Sequence, residues 1–175
     1  RFLQTSLALI QLPPSPEVWV DATAFSALID ATREHRHAHL SACPDCMAKL
    51  REATALYRGD FLSGKSLPDS IAYQEWAAVK QAQLRDDMLA ALALLGQAAW
   101  ENGTYEEADA SARRLLALEP WSEEAHRLRM RVAAATGRRS AAIHQYELCR
   151  RALRDALGVD PEPATVALYR QIKAS

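Results

Sequence analysis

One stretch, Leu92–Pro120 (LALLGQAAWENGTYEEADASARRLLALEP), limits what this chain can fold into more than any other. Leu92 and Leu95 space the apolar face of a first helix. Asn102-Gly103 ends that helix, because glycine most easily takes the left-handed conformation of a helix stop. Thr104 stands at the cap position of a second helix with Glu107 three residues on, the spacing of a capping box. Ala108, Leu115, Leu116 and Leu118 follow, and Pro120 closes the second helix. The small residues fall where two such antiparallel helices cross. One helical hairpin cannot bury its own apolar faces, so the pattern requires neighbours stacked on both sides. It is a binding architecture before it is a catalytic one.

The order Gly96, Gly103, Tyr105, Ala108, Leu115-Leu116, Pro120 resembles one tetratricopeptide repeat. The pattern returns thirty-four residues on. Trp121-Ser122-Glu123-Glu124 opens a helix, with Ser122 as its expected cap and two acids in the electropositive first turn. Leu128, Met130, Val132 and Ala133 follow, Gly137 takes the place of Gly103, and Ala142 that of Ala108. Tyr146 and Leu148 continue the partner helix to Leu157-Gly158. A last helix after Asp160-Pro161, carrying Val166, Leu168, Tyr169 and Ile172, is expected to cap the open end of the stack.

Upstream, Asp21 is expected to cap a helix bearing Phe25, Leu28 and Ile29 that runs to about Glu34. Pro44 suits the first turn of the next helix, with Cys43 in the cap position. Met47, Leu50, Ala53, Leu56 and Tyr57 form its inward face, and Arg58-Gly59 its end. The loop 59–70 carries Phe61, Leu62 and Leu67, which should pin it to the helices. From Ile71 to Glu101 the helical pattern is uninterrupted, with Trp76, Val79, Leu84, Met88, Leu92 and Leu95 at three- to five-residue steps: a spine. Residues 1–20 read differently. FLQTSLALIQL is near alternation, Pro13-Pro14-Ser15-Pro16 breaks it, and Val18-Trp19-Val20 follows, which predicts two short extended segments. The expected fold is therefore all-α: a tetratricopeptide-like right-handed superhelix of about seven helices in antiparallel hairpins, spanning 21–175, with a short N-terminal β-hairpin remnant. Six glycines, few aromatics and a predominance of alanine and leucine agree with it.

Chemistry has few footholds. The formal net charge of -1 gives no global reason to expect nucleic acid. No phosphate-binding loop, nucleophile elbow or H-E-x-x-H helix is present. The acidic pairs Asp86-Asp87, Glu106-Glu107 and Glu123-Glu124 are neighbours in sequence, and neighbours on a helix point apart; helix ends and solvation explain them. No apolar run is long enough to cross a membrane. Three cysteines are too few and too odd for a disulfide framework, which points to a reducing cytoplasm, and a start at Arg1 reads as an excised fragment. The cluster with chemical content is His35, His37, His39, Cys43 and Cys46. C-x-x-C at a helix start lets both sulfurs reach one tetrahedral zinc, with an imidazole completing a candidate structural site. A solvated histidine loop over two small buried thiols, or a redox pair, explains the same residues without metal, and the second C-x-x-C that would make zinc specific is missing. For partner binding, the repeat register places Gln97, Trp100 and Glu101 from the first repeat, and Arg127 and Arg131 from the second, on the concave face. Trp100 is the natural anchor there; its alternative role is to pack inside the protein.

Four further segments make the resemblance specific. Ala53-Leu56-Tyr57-Arg58-Gly59-Asp60-Phe61-Leu62, the turn Glu119-Pro120-Trp121-Ser122-Glu123-Glu124-Ala125-His126, Tyr146 through Arg151, and Leu157-Gly158-Val159-Asp160-Pro161 together resemble the bacterial transcriptional activator domain (BTAD). That domain is the helical partner of a winged-helix DNA-binding domain in SARP-type regulators and their ATPase-fused relatives. The resemblance runs from about Val18 to the end of the chain. It implies that residues 1–20 are the end of a preceding winged-helix domain, whose closing β-hairpin would account for the strand-like start. It implies a non-catalytic regulatory role, with contacts to the protein's own DNA-binding domain, a homodimer partner, RNA polymerase or a fused ATPase domain; DNA is reached only through the N-terminal domain. Against this stand two other classes: a free-standing scaffold that grips a peptide in its groove, and a cysteine-based redox or zinc sensor. The His/Cys insertion is no part of the resemblance.

Overall fold

Two helix stops of the same geometry set the architecture. Gly103 and Gly137 both sit at φ +72°. In each case the glycine N–H returns to the carbonyl three residues back (Trp100, 3.1 Å; Ala134, 3.0 Å). The next N–H reaches five back (Ala99, 2.9 Å; Ala133, 2.8 Å), a Schellman stop that reverses the chain. The computed structural model describes residues 4–5, 10–11, 18–36, 40–65 and 67–174. Among them run seven α-helices: α1 (Asp21–Glu34), α2 (Pro44–Leu56), α3 (Ile71–Glu101), α4 (Tyr105–Leu118), α5 (Glu123–Ala135), α6 (Arg139–Leu157) and α7 (Pro163–Ala174). Gln4–Thr5 pairs antiparallel with Ile10–Gln11, and residues 18–20, expected as the second extended segment, belong to no strand; the remainder of the expected N-terminal hairpin remnant lies outside the described residues.

Helices pair as α1 with α2, α3 with α4 and α5 with α6, and α7 closes the row against both α5 and α6. The first helices of successive pairs also touch, α1 on α3, α3 on α5 and α5 on α7. This is a tetratricopeptide-like all-α superhelix, as the register predicts. At the tightest crossing Gly96 faces α4 and α5: a Cβ built there would lie 2.8 Å from Leu128 Cδ2 and 3.4 Å from Ser111 Cβ. Ala108 and Ala142, one register apart, are both fully buried. One core joins α1 through α5 around Phe25, Leu50, Met88, Leu92 and Leu128. A smaller one holds α7 through Met130, Ala142 and Ile172, with the Tyr146 and Tyr169 rings stacked at 4.1 Å.

Several local expectations give way to the neighbours. Thr104 caps nothing: as the residue after the glycine stop, its hydroxyl donates to the Ala99 carbonyl (3.0 Å), so no capping box forms. Asp21 is the first helical residue, not the cap, and accepts from the Ala22 N–H at 2.8 Å. Ser122 holds the cap position of α5 without a side-chain cap bond. Ser70, by contrast, caps α3 through the Tyr73 N–H (3.3 Å). The larger difference concerns the spine. Leu84, Met88, Leu92 and Leu95 are buried, but Trp76 and Val79 are 53% and 59% exposed. Register and length explain this: Val79 to Leu84 is a five-residue step, which at about 100° per residue turns Val79 away from the buried stripe. At about 1.5 Å per residue α3 is roughly 46 Å long, whereas α4 spans roughly 21 Å and covers only its second half. Leu62 and Leu67 are exposed as well, so of the three loop residues only Phe61 pins the loop, packing on the core and edge-on to Trp76 at 5.6 Å. No helix among the described residues is long and apolar enough to cross a membrane.

Candidate functional site

Three of the four segments that carry the resemblance sit at the joints between helices; the fourth, 146–151, lies within α6. Tyr57, just past α2, donates its hydroxyl to Asp60 (2.9 Å) and lies 6.0 Å from the Phe25 ring. Burial, and then the Asp60 carboxylate, pushes the Tyr57 phenol up to about 12. Asp60 also faces Arg85 at 3.5 Å, and Arg85 donates to the Leu118 carbonyl, so one chain of contacts ties the 59–70 loop to α3 and the end of α4. At the next joint the buried His126 bonds back to the Pro120 carbonyl (2.9 Å) and receives the Gln145 amide of α6 (2.5 Å). The carbonyl can only accept, so Nε2 carries the proton and Nδ1 is the acceptor. Burial lowers the pKa of this imidazole and keeps it neutral. At the last joint Gly158, with φ +71°, ends α6, and Arg154 meets Asp160 at 3.1 Å.

A buried carboxylate that the sequence reading passed over reinforces the centre. Asp109 accepts from Arg113 Nε (2.7 Å) on its own helix and from Arg129 Nε (2.9 Å) on α5. Burial pushes this carboxyl up, but the Arg129 and Arg113 bonds outweigh it and hold the pKa below the ordinary value. The Asp109–Arg113 spacing of four residues was the readable half of the signal; the α5 partner needed the fold.

The residues proposed for the groove divide into two groups. Gln97, Trp100, Glu101 and Arg131 come together. The Gln97 amide donates to Glu101 (2.8 Å), Trp100 lies 5.4 Å from the Tyr105 ring, and the Arg131 guanidinium sits over the Trp100 face at 5.5 Å. Arg131 Nε is buried with no hydrogen-bond partner. The cleft between Gln97, Glu124 and Arg131 holds about 10 Å³, room for one water at most. A partner would therefore lie across this surface rather than enter it. Arg127 points elsewhere: it donates to Thr165 (2.9 Å) and Glu162 (3.2 Å) of the α7 joint, where Glu123 also accepts the Thr165 hydroxyl (2.5 Å).

Two features face outward. Ile71, Trp76 and Val79 form an uncovered apolar ridge on the first half of α3. Beside it a cavity of about 390 Å³ is lined by Val20, Phe25, Leu56, Tyr57, Phe61 and Leu62, continuous through Phe61 with Trp76. Trp19, where the chain enters α1, is 64% exposed at the same end. The spacing groups Trp76 and Val79 with the spine residues; Trp19 and the apolar residues of the 59–70 loop are the sequence signals for a surface here.

Between α1 and α2, His35, Cys43 and Cys46 converge, their donor atoms all within 4.8 Å of one another. His35 Nδ1 is 3.1 Å from Cys46 Sγ and 3.5 Å from Cys43 Sγ. Cys43 holds the cap position of α2 with Pro44 behind it, and Cys46 is completely buried one turn on. Burial, and then the neighbouring Cys43, raises the Cys46 thiol. These three groups can hold a metal ion. His37 and His39 lie outside the described residues. Cys149 is separate, buried in α6, where burial pushes its thiol up to about 12.

Against protein-family models, residues 20–173 match the one described as the bacterial transcriptional activator domain. No curated protein matches the sequence. The matched segment takes in all seven helices and each of the joints above, and the chain belongs to the bacterial transcriptional activator domain family.

Proposed function

We propose that this chain is the non-catalytic regulatory arm of a DNA-binding transcription activator of the SARP type, acting in the bacterial cytoplasm. On this reading residues 1–20 are the end of a preceding winged-helix domain, residues 21–175 are the helical domain, and DNA is contacted only by the former. The family's tie to transcription activation supports the regulatory role. The observation that carries the docking is the uncovered ridge Ile71-Trp76-Val79, next to the apolar cavity at Val20 and Phe61. Exposed apolar surface of this kind, at the end where the chain enters the first helix, suits the flank of the domain that precedes it.

The test is a promoter-reporter assay of the parent protein with Ile71→Ser and Val79→Ser combined. Activation should fall to background while the variant helical domain keeps its circular dichroism and melting. Full activation by the double variant would sink the docking, and a gene without an upstream DNA-binding domain would sink the regulatory reading in favour of a free-standing scaffold. A second contact is favoured by one detail, the buried Arg131 Nε without a partner beside Trp100. A polymerase subunit or a second copy of the chain that offers an acceptor there would satisfy it. Arg131→Lys, with Gln97 and Glu101 left intact, should then reduce activation without changing promoter binding.

A further inference from the structure

We propose that His35, Cys43 and Cys46 form a zinc site that clasps the end of α1 to the start of α2. Two thiols and an imidazole are a soft donor set, which favours zinc over the oxygen-seeking magnesium and calcium. Bonds of about 2.3 Å to sulfur and about 2.0 Å to nitrogen put neighbouring corners of a zinc tetrahedron about 3.6–3.8 Å apart. Cys43 Sγ is already 3.5 Å from His35 Nδ1, and Cys46 Sγ at 3.1 Å needs only a small torsional opening to admit the ion. The backbone has placed the corners in advance. His35 follows the last turn of α1, Cys43 holds the cap position of α2 and Cys46 lies in its first turn.

Binding replaces both S–H bonds with Zn–S bonds and releases the two protons to solvent. Three protein donors leave the fourth corner of the tetrahedron for water or for one more donor. Ligands from the end of α1 and the start of α2 make this a clasp between the two helices. The ion joins α1 and α2 at the end of their hairpin opposite Val20 and Phe61.

The experiment titrates the reduced, metal-free chain with zinc against a chromogenic chelator and records the spectrum of the cobalt form. One ion per chain is expected, with a thiolate-to-cobalt charge-transfer band and the d–d envelope of a tetrahedral site. His35→Ala and Cys43→Ser, at the exposed and half-exposed corners, should each weaken binding by at least about 100-fold, since losing even an outer-shell partner costs about 10–100-fold. Cys149→Ala should bind like the parent chain. The proposal is overturned by the absence of stoichiometric binding, by a cobalt spectrum without the thiolate band, by parental affinity in His35→Ala, or by a chain that takes up no zinc and only closes a Cys43–Cys46 disulfide. Cys46→Ser is left out because a fully buried residue risks the fold itself.

Discussion

Replacing Gly96 with alanine sets two well-known effects against each other at one atom. Gly96 is interior to α3, so alanine should gain about 1 kcal/mol of helix propensity. The added methyl would lie 2.8 Å from Leu128 Cδ2 and 3.4 Å from Ser111 Cβ. Leu128 can yield only by moving within the shared α3–α5 core, where it is 6% exposed. Overpacking of that kind costs about 1–3 kcal/mol, so Gly96→Ala should be net destabilising by roughly 0–2 kcal/mol. The sign is best read in a cycle with Leu128→Ala, which alone should cost about 2–5 kcal/mol through the cavity it leaves. In the double variant the new methyl occupies part of that cavity. Its cost should be smaller than the sum of the single changes by about 1 kcal/mol. Urea unfolding of the four proteins measures this. A Gly96→Ala protein more stable by the full 1 kcal/mol or so, with additivity within about 0.5 kcal/mol, would show that Gly96 is not where the repeats meet.

Asp109→Asn should cost about 1–2 kcal/mol near neutral pH, the range for a charge-assisted bond discounted for the solvent exposure of Arg113. The Asp109 pKa is lower folded than unfolded. Its contribution is therefore complete above the unfolded value of about 3.9 and lost as pH falls through the folded one, so wild type and variant should converge in acid unfolding titrations. His126 is also depressed in the fold. Its share is present above about pH 6.5 and declines as pH falls, and His126→Gln should flatten the pH dependence of stability between about pH 7 and pH 5. Val79→Ser alone, at a 59% exposed position, should change unfolding free energy by less than about 0.5 kcal/mol; a larger loss would mean that the ridge is packed in the isolated domain.

Much of the fold could be read from period and punctuation. The bounds of α3 and the glycine stops were legible because helix stops depend on local backbone preference, which a few residues encode. The equivalence of Ala108 and Ala142 was legible because a close crossing tolerates only small residues. Caps were less legible, since the Thr104 hydroxyl turns back to the Ala99 carbonyl of the preceding stop and accepts no N–H of α4. The exposure of Trp76 and Val79 is less legible for a different reason: the five-residue step to Leu84 turns them from the buried stripe, and α4 is too short to reach them. The site divides the same way. Cys43 and Cys46 were readable from C-x-x-C, and His35 from its place in the cluster. That Arg127 would be engaged by α7, and that Arg129 would reach Asp109 across a helix pair, depend on the superhelix and have no local signature.

The joint residues explain why a resemblance can be specific in a domain with no catalytic motif. A helix face accepts many apolar residues, whereas each joint demands one donor and one acceptor at fixed reach: Tyr57 to Asp60, His126 to Pro120, Arg154 to Asp160. Each lies in the connection from one helix to the next, Tyr57–Asp60 and His126–Pro120 partly buried and Arg154–Asp160 exposed. A shape-dependent role needs those connections more than it needs any single surface residue. Loss of the His126–Pro120 bond should thus alter activation in the parent regulator even though His126 is buried and touches no partner. His126→Gln retains a side chain able to donate to that carbonyl, and His126→Leu does not. If joint geometry transmits the function, the glutamine variant should keep most of the promoter response at matched protein levels and the leucine variant should lose it. Equal activity in both would reduce the joints to matters of stability alone.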